Sequence, residues 1–217
     1  DQPAWVVAVV LQVAADQFLG QFDALGVGIA GWDRAGVDTV EVAACWQDVA
    51  SAPVAHADET GWRQHGRMRW LWGATTPDAA YFVVAPDRGR AALSQLLPDD
   101  FEGIVQCDRW RPYERFGDAR QLCHAHLRRD FQAAIDRGGA ARPLGRRLLA
   151  ASDDLFRVWH AYQRGAIDRS RMMRDMGPIE KAWDAAVNAA IESRDHRLAV
   201  LGADLWRQWD CLWTFVH

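Results

Sequence analysis

The sequence predicts a mixed α/β fold: an antiparallel meander, a crossover helix leading to a parallel strand, then a large α-helical block. Three observations carry this. Residues 54–85 hold three short stretches with strand character separated by tight turns. A helical apolar stripe and a short apolar run ending in Asp108 follow. From about His126 onward the apolar period is helical.

In order, Trp5 to Phe18 is predicted as a helix, apolar on most sides. Residues 23–52 mix Gly26, Gly28, Gly31 and Gly36 with short apolar pieces. Gly26-x-Gly28-x-x-Gly31 has the spacing of a dinucleotide loop but lacks a preceding strand and a following helix, so that chemistry is set aside. Val54 to Arg63 reads as the first strand of the meander, with a turn at Gln64-His65-Gly66. Met68, Trp70, Trp72 and Ala74 alternate with Arg69, Leu71 and Gly73 in the second. Thr76-Pro77-Asp78 turns the chain into Tyr81–Ala85, the third.

Asp87 is predicted to cap a helix whose stripe is Ala91, Ala92, Leu93, Leu96 and Leu97, closed by Pro98. Gly103–Asp108 then reads as a strand, and strand–helix–strand implies a right-handed crossover to a parallel partner. If that partner is the first meander strand, Asp58 and Asp108 come side by side, because neighbouring strands lie about 4.8 Å apart. Arg109–Phe116 is a basic and aromatic segment, and Gln121-Leu122-Cys123 a further short strand. Gly138-Gly139 and Gly177-Pro178 punctuate three helical stripes: Leu144 to Trp159, Ile179 to Ile191, and Leu198 to Leu212. This gives an N-terminal helical or irregular region (1–52), an α/β core (53–125) and a helical block (126–217).

Composition narrows the function classes. The 217 residues are 50% apolar, so a sizeable core is available and global disorder is excluded. The apolar run Trp5–Ala15 is broken by Gln12 and is shorter than the roughly 20 residues a bilayer span needs. It has no basic leader, so a soluble, cytoplasmic protein with no membrane partner is expected. Cys45, Cys107, Cys123 and Cys211 lack disulfide-like spacing and are expected as thiols. Net charge is −4, with −8 in residues 1–107 and +4 in residues 108–217. A nucleic-acid face is therefore expected in the second half, as a local patch. The chain begins with Asp1, as expected of a fragment.

The chemistry centres on Asp58 and Asp108. Two adjacent carboxylates repel, and one protonates unless a cation intervenes. Mg²⁺ or Mn²⁺ solves this with oxygen ligands and open positions for phosphate and water. Two such ions activate a nucleophile and stabilise the leaving oxygen of an in-line displacement. Aspartates that only cap turns are the alternative. Glu59 should face away from Asp58 along the strand and reads as structural or surface.

Ala57-Asp58-Glu59-Thr60-Gly61-Trp62, Arg69-Trp70-Leu71-Trp72, Cys107-Asp108-Arg109, Gln121 to Phe131 and Leu212-Trp213-Thr214-Phe215 together resemble the transposases of the insertion-sequence-66 family, over about residues 54–217. The resemblance implies a ribonuclease-H-like fold with a DDE site and a helical insertion. It implies two Mg²⁺ (or Mn²⁺) ions, with Asp58 and Asp108 as metal-binding catalytic acids. It further implies DNA (element ends and target) as partner, a homo-oligomer as the active assembly, and cleavage and joining of DNA strands. The third acid, a glutamate, is expected in an Asn-Asn-x-x-Glu-Arg stretch after the Trp-Thr-Phe segment. The chain stops at His217, so it is expected to lack that acid. Arg109, Arg128 and Arg129 are candidate phosphate contacts and Trp110 a candidate base-stacking platform. Cys123-x-x-His126 has the spacing of a zinc half-site, but without a second pair it reads as a packing junction. Trp159, Trp183, Trp206 and Trp209 read as core. The alternatives are an inactive remnant limited to DNA binding or subunit contact, and a nuclease or resolvase of the same fold.

Overall fold

The computed structural model describes residues 5–8 and 39–217. Contacts divide the chain into two compact units, residues 1–120 and 121–217.

The first unit is built on a mixed sheet. Its strands are β1 (Trp5–Ala8), β2 (Val54–Gln64), β3 (Arg67–Thr75), β4 (Ala80–Ala85) and β5 (Ile104–Cys107), with β6 (Arg120–Leu122) at the boundary. Their order is β1-β4-β3-β2-β5-β6. The meander is antiparallel: β2 pairs β3 from His56↔Thr75 to Gln64↔Arg67, and β3 pairs β4 from Trp70↔Ala85 to Thr75↔Ala80. The first turn is a two-residue hairpin with positive φ at both positions, 48° at His65 and 77° at Gly66. That geometry matches the right-handed twist of the flanking strands. In the second turn the Thr76 hydroxyl accepts the N–H groups of Asp78 and Ala79. A crossover through α2 (Arg90–Leu96) delivers β5 parallel to β2. Trp72, Val83, Leu93, Leu96, Val105 and Tyr113 form the heart of the unit's core.

The structure corrects the sequence reading at several points. Trp5–Ala8 is not the start of a helix but a strand antiparallel to β4, with Trp5 opposite Val84. A short apolar run has no period to separate helix from strand, and the open edge of the sheet decides it. Residues 9–18 and the Gly26–Gly31 loop lie outside the described residues. The helix α1 (Thr39–Ala50) occupies part of a stretch read as irregular. Asp87 does not cap α2; Gly89 is the cap residue, and the Asp87 carboxylate accepts the Gly89 N–H at 2.8 Å.

The second unit is helical: α3 (His124–Arg137), α4 (Ala141–Gln163), α5 (Arg169–Ile191), α6 (His196–Arg207) and α7 (Asp210–Trp213). Its core gathers Phe131, Leu148, Leu155, Met176, Trp183 and Leu212 among others. Asp168 and Asp195 cap α5 and α6 through their carboxylates. Gly177-Pro178 does not end a helix, because α5 runs through it. Proline removes one backbone bond and crowds the preceding turn, but buried Met172, Met176, Ile179 and Trp183 on both sides hold the helix in register. Trp183 is core, while Trp206 is 51% exposed and is not. No described helix is long and apolar enough to cross a membrane.

Candidate active site at the β2–β5 seam

The parallel ladder pairs Val54 with Ile104, Ala55 with Val105 and His56 with Gln106. This constant offset, carried two residues further, sets Asp58 level with Asp108. Ala55, Ala57, Val105 and Cys107 are buried on one face, so His56, Asp58 and Gln106 belong to the other. Asp108 lies just past the end of β5, and its carboxylate meets Arg88, which also pairs with Glu59.

Local hydrogen bonds orient each carboxylate. Asp58 Oδ1 accepts the N–H of Glu59 at 2.9 Å. Asp108 Oδ1 accepts the N–H of Trp110 at 2.6 Å, closing a turn that leads the chain away from the sheet. Asp108 Oδ2 accepts from Arg88 Nη2 at 3.2 Å.

Arg88 is the hub of the site. Its guanidinium also donates to the Glu59 carboxylate. It lies 4.2 Å from the ring centroid of Trp110 and 5.3 Å from that of Trp70. Its backbone carbonyl accepts the Trp110 indole N–H at 3.2 Å. Glu59 is not a surface residue: its side chain is 0% exposed, and its Oε2 accepts the Tyr113 hydroxyl at 2.6 Å. Burial pushes the Glu59 carboxyl up and the Asp108 charge adds to that, while Tyr113 and Arg88 pull it down; the net is upward. Burial and the neighbouring Glu59 hold the Tyr113 hydroxyl well above its usual range, so it stays a donor. Trp70 faces Gly61 across the β2–β3 ladder. A Cβ at Gly61 would meet its ring at 3.3 Å, so the small residue after Thr60 makes room for the indole beside Arg88.

The sequence reading missed Arg88 and Tyr113. An arginine just after a strand-ending Pro-Asp turn carries no distinctive pattern. The one signal was Glu59 itself, a carboxylate on the inward alternation of a buried strand, which requires partners.

The other candidates are distributed as follows. Arg109 is half-buried and Trp110 is 37% exposed, both in the segment after Asp108. Arg128 and Arg129 lie on α3 in the second unit. Arg128 is paired with Asp153 and its guanidinium lies 5.5 Å from the Phe156 ring centroid, whereas Arg129 is exposed. Cys123 precedes α3 and its carbonyl accepts the His126 N–H at 3.1 Å. Burial raises the Cys123 thiol pKa, but hydrogen bonds from the His126 side chain and backbone, with the His126 charge, outweigh it and lower the pKa. Among the described residues no group of three or more His, Cys, Asp or Glu side chains is placed to hold a metal ion.

Two distant motifs form one structure within the second unit. Gln121 Nε2 donates to the Leu212 carbonyl at 3.1 Å, and its Oε1 accepts the Phe215 N–H at 2.9 Å. His124 Nε2 lies 2.9 Å from the same Leu212 carbonyl. Its ring is enclosed by Phe156, Trp183, Trp213 and Phe215. Residues 38–217 match the family described as Transposase IS66 family. The chain belongs to the IS66 transposase family. The match includes both aspartates, the Arg88 hub and the Gln121–Leu212 clamp, and begins upstream of the motifs that carry the resemblance. No curated protein and no solved structure matches the chain.

Proposed function

We propose that this chain carries the first two acids, Asp58 and Asp108, of a DDE-type site that cuts and joins DNA strands during transposition of an insertion sequence. The observation that carries the proposal is the parallel register of β2 with β5, which carried two residues past His56↔Gln106 sets Asp58 level with Asp108. The fold is read as ribonuclease-H-like on the strength of the mixed sheet and the family.

The donor set fits a hard divalent cation. Asp58 and Asp108 offer only oxygen atoms, the ligand type such an ion takes, and an ion there would share the Asp108 carboxylate with Arg88. Asp58 and Asp108 would hold Mg²⁺ or Mn²⁺, which when bound supplies Lewis-acid stabilisation of the attacking and leaving oxygens. The family's third acid, a glutamate after the Trp213-Thr214-Phe215 segment, would complete the site.

The protein's own residues do the positioning. Trp110 N–H and Arg88 hold the Asp108 carboxylate at two separate oxygens. Arg109 is assigned to phosphate contact and the exposed Trp110 ring to base stacking. Arg129 is the freer of the two α3 arginines, since Arg128 is engaged with Asp153. DNA is the partner, and a homo-oligomer the working assembly.

The test is strand transfer with element-end oligonucleotides in the full-length transposase. Asp58→Asn and Asp108→Asn should each abolish joining while circular dichroism and melting stay near wild type. Joining that survives either substitution would remove that residue from the catalytic set. Cleavage without joining would favour a nuclease of the same fold. A wild-type protein without Asp58-dependent Mn²⁺ binding would point to an inactive remnant.

A further inference from the structure

A second basic feature lies beside the aspartate loop and has no part in the site above. Between the start of α2 and the 3-10 turn Arg111–Phe116 is a groove of about 390 Å³. Arg90, Arg111, Pro112, Glu114 and Arg115 line it, three guanidinium groups against one carboxylate. Arg111 and Arg115 belong to the half of the chain, residues 108–217, that carries a net +4.

Arg115 forms the base of the groove. Its side chain is only 5% exposed. Nη1 donates to Ser94 Oγ at 2.6 Å and lies 2.6 Å from Asp99. Nη2 donates to the Leu97 carbonyl at 2.8 Å and, more weakly, to that of Leu93 at 3.5 Å. Its Nε–H, equally buried, has no acceptor. A buried donor without an acceptor is costly. Burial lowers the Arg115 pKa, Asp99 offsets part of this, and the nearby Arg90 charge lowers it again. Arg90 and Arg111 are exposed at the rim.

We propose that this groove binds a backbone phosphate of a DNA strand, with the exposed guanidinium groups of Arg90 and Arg111 closing on it from the rim. The proposal rests on the DNA-processing reading above. Two residues separate Asp108 from Arg111, so their Cα atoms lie within about 11 Å of each other. The groove would hold the strand one contact away from the reacting phosphate, a role in register rather than in chemistry. The planar forks of arginine suit phosphate oxygens better than lysine would.

The experiment is the salt dependence of binding to a short mixed-sequence duplex, read by fluorescence anisotropy. It compares the wild-type chain, an Arg90→Ala/Arg111→Ala variant and, as a control for bulk charge, Arg67→Ala on the β2–β3 hairpin. Losing one phosphate contact should make the slope of log K against log salt shallower by about 1 in the double variant only. Inorganic phosphate should raise the melting temperature of the wild-type chain and not of the double variant. An unchanged slope in the double variant, or an equal change in Arg67→Ala, overturns the groove while leaving the functional reading intact. A wild-type chain that binds no DNA overturns the functional reading, and the groove with it. Stabilisation of the double variant by phosphate as large as that of wild type also removes the site.

Discussion

Glu59 and Asp108 share one cation. The guanidinium of Arg88 pairs with a glutamate whose side chain is fully buried and with the aspartate that ends the β5 segment. The partners come from β2, from the β4–α2 connection and from the end of β5, so one side chain joins three separate segments of the unit. Removing one partner of such a pair leaves the other charge buried without compensation, which costs far more than the pair's net contribution.

Arg88→Met should therefore destabilise the first unit by roughly 3 kcal/mol, the usual scale for breaking a buried pair from one side. Adding Glu59→Gln to that variant should recover part of the loss, because a neutral amide can still accept from Tyr113. Urea denaturation of the single and double variants measures both. A double variant less stable than Arg88→Met would show that Glu59 contributes by some other contact.

Trp110 is held at three points: its N–H by Asp108, its indole N–H by the Arg88 carbonyl, and one ring face by the Arg88 guanidinium. It is nevertheless 37% exposed. A pre-ordered, half-open indole is suited to stacking on an unpaired base. Trp110→Ala should weaken binding of a single-stranded oligonucleotide by about 1–3 kcal/mol, while Trp110→Phe should keep most of it. Anisotropy titration separates these outcomes, and equal loss in both variants would assign Trp110 to structure alone.

His124 gives the second unit a pH dependence. Burial lowers its pKa to about 4, and the Leu212 carbonyl only partly opposes this. The unfolded histidine takes up a proton below its ordinary value near 6.5 and the folded one does not until about 4. Stability from this group is thus full above 6.5 and falls as the pH drops toward 4, by on the order of 3 kcal/mol. His124→Gln should be less stable at pH 7, since it loses ring packing, yet flatter between pH 6.5 and 4. Denaturation midpoints across that window test it, and parallel curves for both proteins would contradict it.

Pro178 sits inside α5 with its ring exposed. Pro178→Ala restores a backbone donor in mid-helix and removes a clash with the preceding turn. It should stabilise the second unit by about 1–3 kcal/mol, up to the usual Pro–Ala difference in a helix interior. Thermal melting measures the gain; a loss would mean that the proline sets a bend on which the packing of Met176 and Ile179 depends.

What the sequence by itself determined was local and periodic. Two-residue alternation at Met68, Trp70, Trp72 and Ala74, with turn residues on either side, specified the meander, because one buried face dictates every second residue. The helix between β4 and β5 required a parallel neighbour for β5, and β2 is that neighbour. The motifs in residues 57–131 and 212–215 carried the family. Tertiary structure alone decided the rest. Trp5–Ala8 became a strand because β4 offered an unpaired edge, a cause remote in sequence. Glu59 turned inward because Arg88 and Tyr113, 29 and 54 residues away, could satisfy it there. Gln121 and His124 met Leu212 across 91 and 88 residues. Such contacts leave no periodic trace, since a charge or hydrogen-bond partner is chosen by proximity in the folded core and not by spacing along the chain.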